Sequence, residues 1–284
     1  MKVSSMSNIE DLLNHLNVEK LDTNLFRGTT YPLPLVRVFG GQVLAQCLNA
    51  ATRTVEPDSI AHSLHGYFLR PGIFEKPIIF EVDPIRDGKS FNTRRVVAKQ
   101  NGKAIFNCAI SFQQADDLLN FQDEAPTDLP DPESLIDFQD YSQEQEKSLP
   151  ADVRPTLLFP KDLIEIKAVN PETEDGFWFR FNIDKDAPAI VHQTLFAFIS
   201  DWGPLGKVMK NHGLAGDPKI QCVSLDHAIW IHSTMNMSDW FYFQVKSPRA
   251  AGARVLTQGT YFDANGNLFA STTQEGLIRK APLA

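Results

Sequence analysis

The chain has 284 residues, of which 43% are hydrophobic and 22% charged, and carries a formal net charge of −8. That length accommodates one large domain or two of about 140 residues each, and the composition is globular rather than disordered. The acidic balance excludes the basic face that non-specific nucleic-acid binding requires, and no run of ~18 apolar residues provides a membrane-spanning helix.

In chain order, MKVSSMSNIEDLLNHL turns acidic and amphipathic instead of building a secretory apolar core, so no signal peptide is expected. A helix is predicted in FGGQVLAQCLNAATRTV (39–55), followed by SLHGYFLRPG (63–72) and a β-rich region ending in VVAKQNGKAIFNCAISFQ (96–113). There Asn101-Gly102 lies between two apolar runs, a strong hairpin signal. The acidic stretch 115–147 reads as a solvated connector. Beyond it the same order returns: HQTLFAFISDWGPLGKVM (192–209), SLDHAIWIHS (224–233) and GTYFDANGNLFASTTQEGLIR (259–279). Leu195 to Ile199 are apolar all round, so this helix belongs inside the protein, and Asn265-Gly266 repeats the hairpin signal.

The two halves share ordered landmarks. Gln42 matches Gln193, Ser63-Leu64 matches Ser224-Leu225, and Asn101-Gly102 matches Asn265-Gly266, at separations of 151, 161 and 164 residues. An offset drifting in one direction is what duplication with small insertions leaves. The expected organisation is residues 1–114 as one half, 115–155 as connector and 156–284 as the second half. Each half reads as a helix followed by an antiparallel sheet, an α+β class. Wrapping each sheet around its helix and joining the two edge to edge would remove exposed strand edges. Cys47, Cys108 and Cys222 lie far apart and lack C-x-x-C spacing, which suggests reduced, buried thiols in a cytoplasmic protein and no disulfide or metal site. The C-terminal APLA is not a peroxisomal S-K-L address, which agrees with that location.

CVSLDHAIWIHS (222–233) holds the residue types of a hydrolase triad. On a regular strand Ser224 and His227 face opposite ways, and His232 stands eight residues off, roughly 26 Å at ~3.3 Å per residue. No G-x-S-x-G elbow occurs, so a local triad is not expected, and His227 reads as a satisfied, half-buried histidine. Asp201, after the apolar helix and before Gly203-Pro204, reads equally as a capping residue or as a buried acid needing donors. Its counterpart in the first half is Ala50, the pattern of one working and one decayed site. In TTQEG (272–276), chemistry alone favours Glu275 as a base, because a carboxylate accepts a proton and an amide does not.

VFGGQVLAQ, YFLRPG, RDGKSFNTRRV, SLDHAIWIH and STTQEGLIR, in this order along nearly the whole chain, resemble the landmarks of the acyl-CoA thioesterase II family. The resemblance implies a tandem double hot-dog fold and hydrolysis of fatty acyl-CoA to a free acid and CoA, with no cofactor. It points to Asp201, Ser224 and Gln274 as the site, holding a water for which Asp201 is the general base, and leaves Glu275 facing away. Ser224 stands where the family often carries threonine. Gly41 and Gln42, at a helix N-terminus, are oxyanion candidates, and Arg70, Arg94 and Arg95 are candidates for CoA phosphates. Family analogy implies a homo-oligomer, a dimer or tetramer of double hot-dogs. His62, His65, His192 and His227 leave open a hydratase or dehydratase on the same scaffold, and a non-catalytic acyl-CoA binding module is the third reading.

Overall fold

The computed structural model describes residues 8–281 except 32, 34, 36, 115, 117, 148–158, 174 and 175. The first seven residues and most of APLA lie outside this set, as does part of the connector.

The first half opens with α1 (Ile9–Leu16), whose Asn8 cap accepts the Asp11 N–H and whose inner face buries Leu12 and Leu16. Then come β1 (Glu19–Asp22), β2 (Leu25–Gly28), α2 (Gly40–Thr52), β3 (Ile60–Phe68), β4 (Ile78–Asp87), β5 (Phe91–Gln100) and β6 (Lys103–Gln113). The second half contains α3 (Phe138–Glu146), β7 (Ile164–Ala168), β8 (Gly176–Phe181), α4 (Ala189–Ser200), α5 (Pro204–Asn211), β9 (Ile220–Ser224), β10 (Asp226–Ile231), β11 (Phe241–Ala251), β12 (Arg254–Asp263) and β13 (Leu268–Lys280).

Among the described residues the strands form one 13-stranded sheet, in the order β1-β2-β4-β5-β6-β3-β10-β13-β12-β11-β8-β7, with β9 paired on β13. The halves meet where β3 pairs antiparallel with β10, Leu64 opposite Ile229. This is the double hot-dog expected from sequence. α2 and α4 lie side by side within the sheet's curve. Every residue of α4 from His192 to Ser200 is buried, as its all-apolar stretch Leu195 to Ile199 requires.

The β5–β6 hairpin turns at Asn101 (φ 49°) and Gly102 (φ 74°), the two positive φ angles of a type I′ turn. The second hairpin forms with a longer loop. Asp263 accepts the Asn265 and Asn267 N–H groups through Oδ1, and only Gly266 takes a positive φ, of 83°.

The connector departs from the solvated reading. α3 docks on β7, and Phe138, 2% exposed, packs edge-on against Phe177 and Trp202. Phe138 and Gln139 supply the buried contacts, while Leu118, Leu119 and Phe121 upstream stay exposed.

Candidate active site

The site is built where the C-terminus of α4 meets the N-terminus of α2. Asp201 is the C-cap of α4, and Gly203 (φ 99°) turns the chain into α5, which starts at Pro204. The end of its own helix dipole disfavours a carboxylate, but the first turn of α2 offsets this. The Gly41 N–H donates to Asp201, and the positive end of α2 points at it. The two glycines permit that approach. A Cβ on Gly41 would come 2.0 Å from the Phe198 carbonyl oxygen, and one on Gly40 would come 2.5 Å from Asp201 Oδ2.

Strands bring the other two groups. Gln274, 2% exposed, lies on β13. Its Nε2 donates to Asp201 Oδ1 at 2.6 Å and to Ser224 Oγ at 2.7 Å. The Ser224 hydroxyl in turn donates to Asp201. Asp201 and Gln274 sit 23 and 50 positions from Ser224 along the chain, yet the three form one closed hydrogen-bonded unit. Burial pushes the Asp201 carboxyl up to about 7, against the pull of Gln274, Gly41, Ser224 and the Arg37 charge. A carboxylate poised near neutrality can take a proton from a reacting group and return it.

The unit opens on a cavity of about 890 Å³. Its deep wall is apolar, with Val38, Phe39, Val43, Ile105 and Phe106 all buried. Arg37 and Arg70, both exposed, line its mouth. Cys222 also lines it, but burial pushes that thiol up to about 11, so it is no thiolate nucleophile.

Several sequence-derived positions fall elsewhere. The Gly41 N–H is directed to Asp201 and not to open space. Gln42 is fully buried: its N–H bonds the Phe39 carbonyl, and its side chain ties Tyr31 to Thr29. Gly40, one residue before Gly41, lines the cavity. Arg94 points inward on β5 and is 3% exposed; it bonds Thr54, the Arg86 carbonyl and Asp87 beyond the end of α2, so it serves structure. Arg95 points outward and pairs with Asp83 at 2.7 Å. Arg70 stays at the cavity, and Arg37 is the cation that sequence reasoning missed. Its one signal was its place three residues before the Gly40 helix start.

His62, His65, His192 and His227 do not line the cavity. His227 nonetheless shares a face with Ser224, contrary to regular alternation. Ser224 pairs with Gly276 and Ala228 with Thr273, so the chain gains one residue on β13 at Leu225–Asp226. Such a bulge inverts the side-chain parity beyond it. Glu275 faces outward and pairs with Arg254 at 2.9 Å.

The chain is similar to known thioesterases along both halves. The family model for acyl-CoA thioesterase matches residues 173–277, and that for the acyl-CoA thioesterase N-terminal domain matches residues 32–113. The chain is 36% identical to human acyl-coenzyme A thioesterase 8, over 94% of this chain and 88% of that protein. It is 32% identical to acyl-CoA thioesterase 2 of Haemophilus influenzae, over 95% and 98%. The structure of an acyl-CoA thioesterase II from Mycobacterium marinum superposes with a TM-score of 0.75 at 36% identity, covering 96% of this chain and 98% of that one. With both family models matched in order and relatives above 30% identity along almost its whole length, the chain belongs to the acyl-CoA thioesterase family.

Proposed function

We propose that this thioesterase hydrolyses fatty acyl-CoA with a water molecule that Asp201 deprotonates and that Ser224 and Gln274 help to hold. The observation that carries this reading is the closed Asp201–Ser224–Gln274 unit against the apolar wall of a cavity whose mouth carries Arg37 and Arg70. The water oxygen bonds to the thioester carbon while its proton passes to Asp201. The carbon–sulfur bond then breaks, and the CoA thiolate takes the proton. Positioning of this kind supplies several kcal/mol, with ~7–11 as the ceiling for ideal geometry. Negative charge on the thioester oxygen needs a donor where it develops. The Gly40 N–H, first in α2 and without an intrahelical acceptor, suits this role better than Gly41 or Gln42. Arg37 and Arg70 at the mouth are placed for CoA phosphates, and the apolar wall for the acyl chain.

The test is thiol release from acyl-CoAs of short to long chain by the pure protein. Release is expected, and its absence across the panel would refute the reading. A dehydratase would instead consume enoyl absorbance without releasing thiol. No histidine at the cavity supports that chemistry.

We also infer a homo-oligomer. The outer face of the central strands leaves Tyr67 61%, Phe91 49%, Ile60 38% and Trp230 37% exposed on one side of the sheet. Exposed apolar side chains gathered on one face of this kind suit a second copy of the chain.

A further inference from the structure

His227 is fully buried and stands directly behind the site, on the same face of the sheet as Ser224 and Gln274. Continued by one residue, the register that pairs Ala228 with Thr273 brings it beside Gln274 at the edge of the bulge. The hydrogen-bond inventory of the pair is incomplete in a specific way. Gln274 uses its amide NH₂ on Asp201 and Ser224. Its Oε1 is buried and has no partner among the described residues. His227 Nε2 lies 3.0 Å from Ser200 Oγ, and that hydroxyl donates to the Ala197 carbonyl at 3.0 Å. Serine has one hydrogen to give, and with that hydrogen on the Ala197 carbonyl, Nε2 carries the imidazole proton and Nδ1 is an acceptor. Nδ1 too is buried without a partner among the described residues. Two buried acceptors therefore belong to neighbouring residues of one strand pair, and leaving both unsatisfied is costly. A group that donates two hydrogens resolves both, and a water molecule is the smallest that does.

We propose that His227 is a positioning residue for Gln274: one buried water donates a hydrogen to His227 Nδ1 and the other to Gln274 Oε1, fixing the amide with its NH₂ toward Asp201 and Ser224. An amide flipped the other way would set its oxygen against the Asp201 carboxylate and withdraw the donor to Ser224. Burial holds the imidazole at about 3, so it remains neutral and an acceptor wherever the carboxylate works. The proposal rests on the reading that Gln274 organises the hydrolytic unit.

His227→Gln keeps a polar group near the Nε2 position and loses the one at Nδ1, whereas His227→Asn keeps the latter. The expected result for His227→Gln is a kcat lowered about tenfold with KM little changed, and a kcat/KM–pH profile whose lower midpoint moves up as Asp201 loses a donor. His227→Asn should restore most of kcat and return the midpoint. Stability loss alone would lower the active fraction without moving that midpoint. Gln274→Ala separates the two levels. If it leaves kcat intact, the reading of the site fails. If it lowers kcat while His227→Gln changes neither kcat nor the midpoint, the positioning role alone is overturned. Should the variants not fold, imidazole ¹⁵N shifts of the wild type decide: a protonated Nε2 with a hydrogen-bonded acceptor Nδ1 supports the proposal, and a protonated or unbonded Nδ1 overturns it.

Discussion

Asp201 carries three donors and a nearby cation, yet its carboxyl is raised because burial outweighs them. Two consequences follow with opposite practical signs. Activity that needs the ionised base rises with pH through about 7, which a kcat/KM–pH profile reads directly. Stability runs the other way. The folded protein holds this proton more tightly than the unfolded chain, so the group's contribution weakens folding as pH climbs from the ordinary 3.8 to about 7. Asp201→Asn should flatten that slope in denaturant titrations at several pH values. At the mouth, Arg37→Ala should raise KM for acyl-CoA about tenfold, equivalent to ~1.4 kcal/mol, and leave KM for an acyl-pantetheine lacking the nucleotide phosphates unchanged. Of the three central residues, only Asp201 stood out from the residues themselves, through its contrast with Ala50. The outward-facing, ion-paired Glu275 shows that proton-accepting ability alone does not locate a base, and Gln274 was legible only through resemblance.

At the scale of elements, patterns of hydrophobicity carried well and close approaches did not. The buried α4 with its apolar stretch Leu195 to Ile199, the Asn101-Gly102 turn and the pairing of the two halves follow from periodicity and turn chemistry. The bulge at Leu225–Asp226 does not, because nothing in SLDHAIW signals a break in alternation, and it reverses where His227 points. Arg94 illustrates the same limit: a guanidinium after a polar loop reads as exposed until α2 and β5 enclose it. The Gly-Gly pair reads as a helix start from sequence. Its tighter purpose is the helix contact that brings a backbone N–H to Asp201. Gly41→Ala would press a methyl against the Phe198 carbonyl. The expected cost is about 1–3 kcal/mol of stability, with a loss of kcat as α2 retreats from the carboxylate. Thermal unfolding and steady-state kinetics on one preparation would check both.

The molecule as a whole places one polar unit between its two hot-dog halves. α4 of the second half provides the acid, α2 of the first provides the dipole that tolerates it, and β13 provides the amide. Neither half alone holds this arrangement. The exposed aromatic face of the central strands predicts assembly: Tyr67→Glu with Trp230→Glu should reduce the sedimenting mass to that of one chain while the melting temperature of the fold holds.

The central claim is that Asp201 activates water for thioester hydrolysis. Thiol release from a saturating acyl-CoA, compared between wild type and Asp201→Asn at matched folded concentration from pH 5 to pH 9, tests it most directly. The account predicts wild-type turnover that climbs through about pH 7 and a variant slower by on the order of 10²–10⁴ with no such climb. A variant that turns over at the wild-type rate, with the same pH dependence, would contradict it.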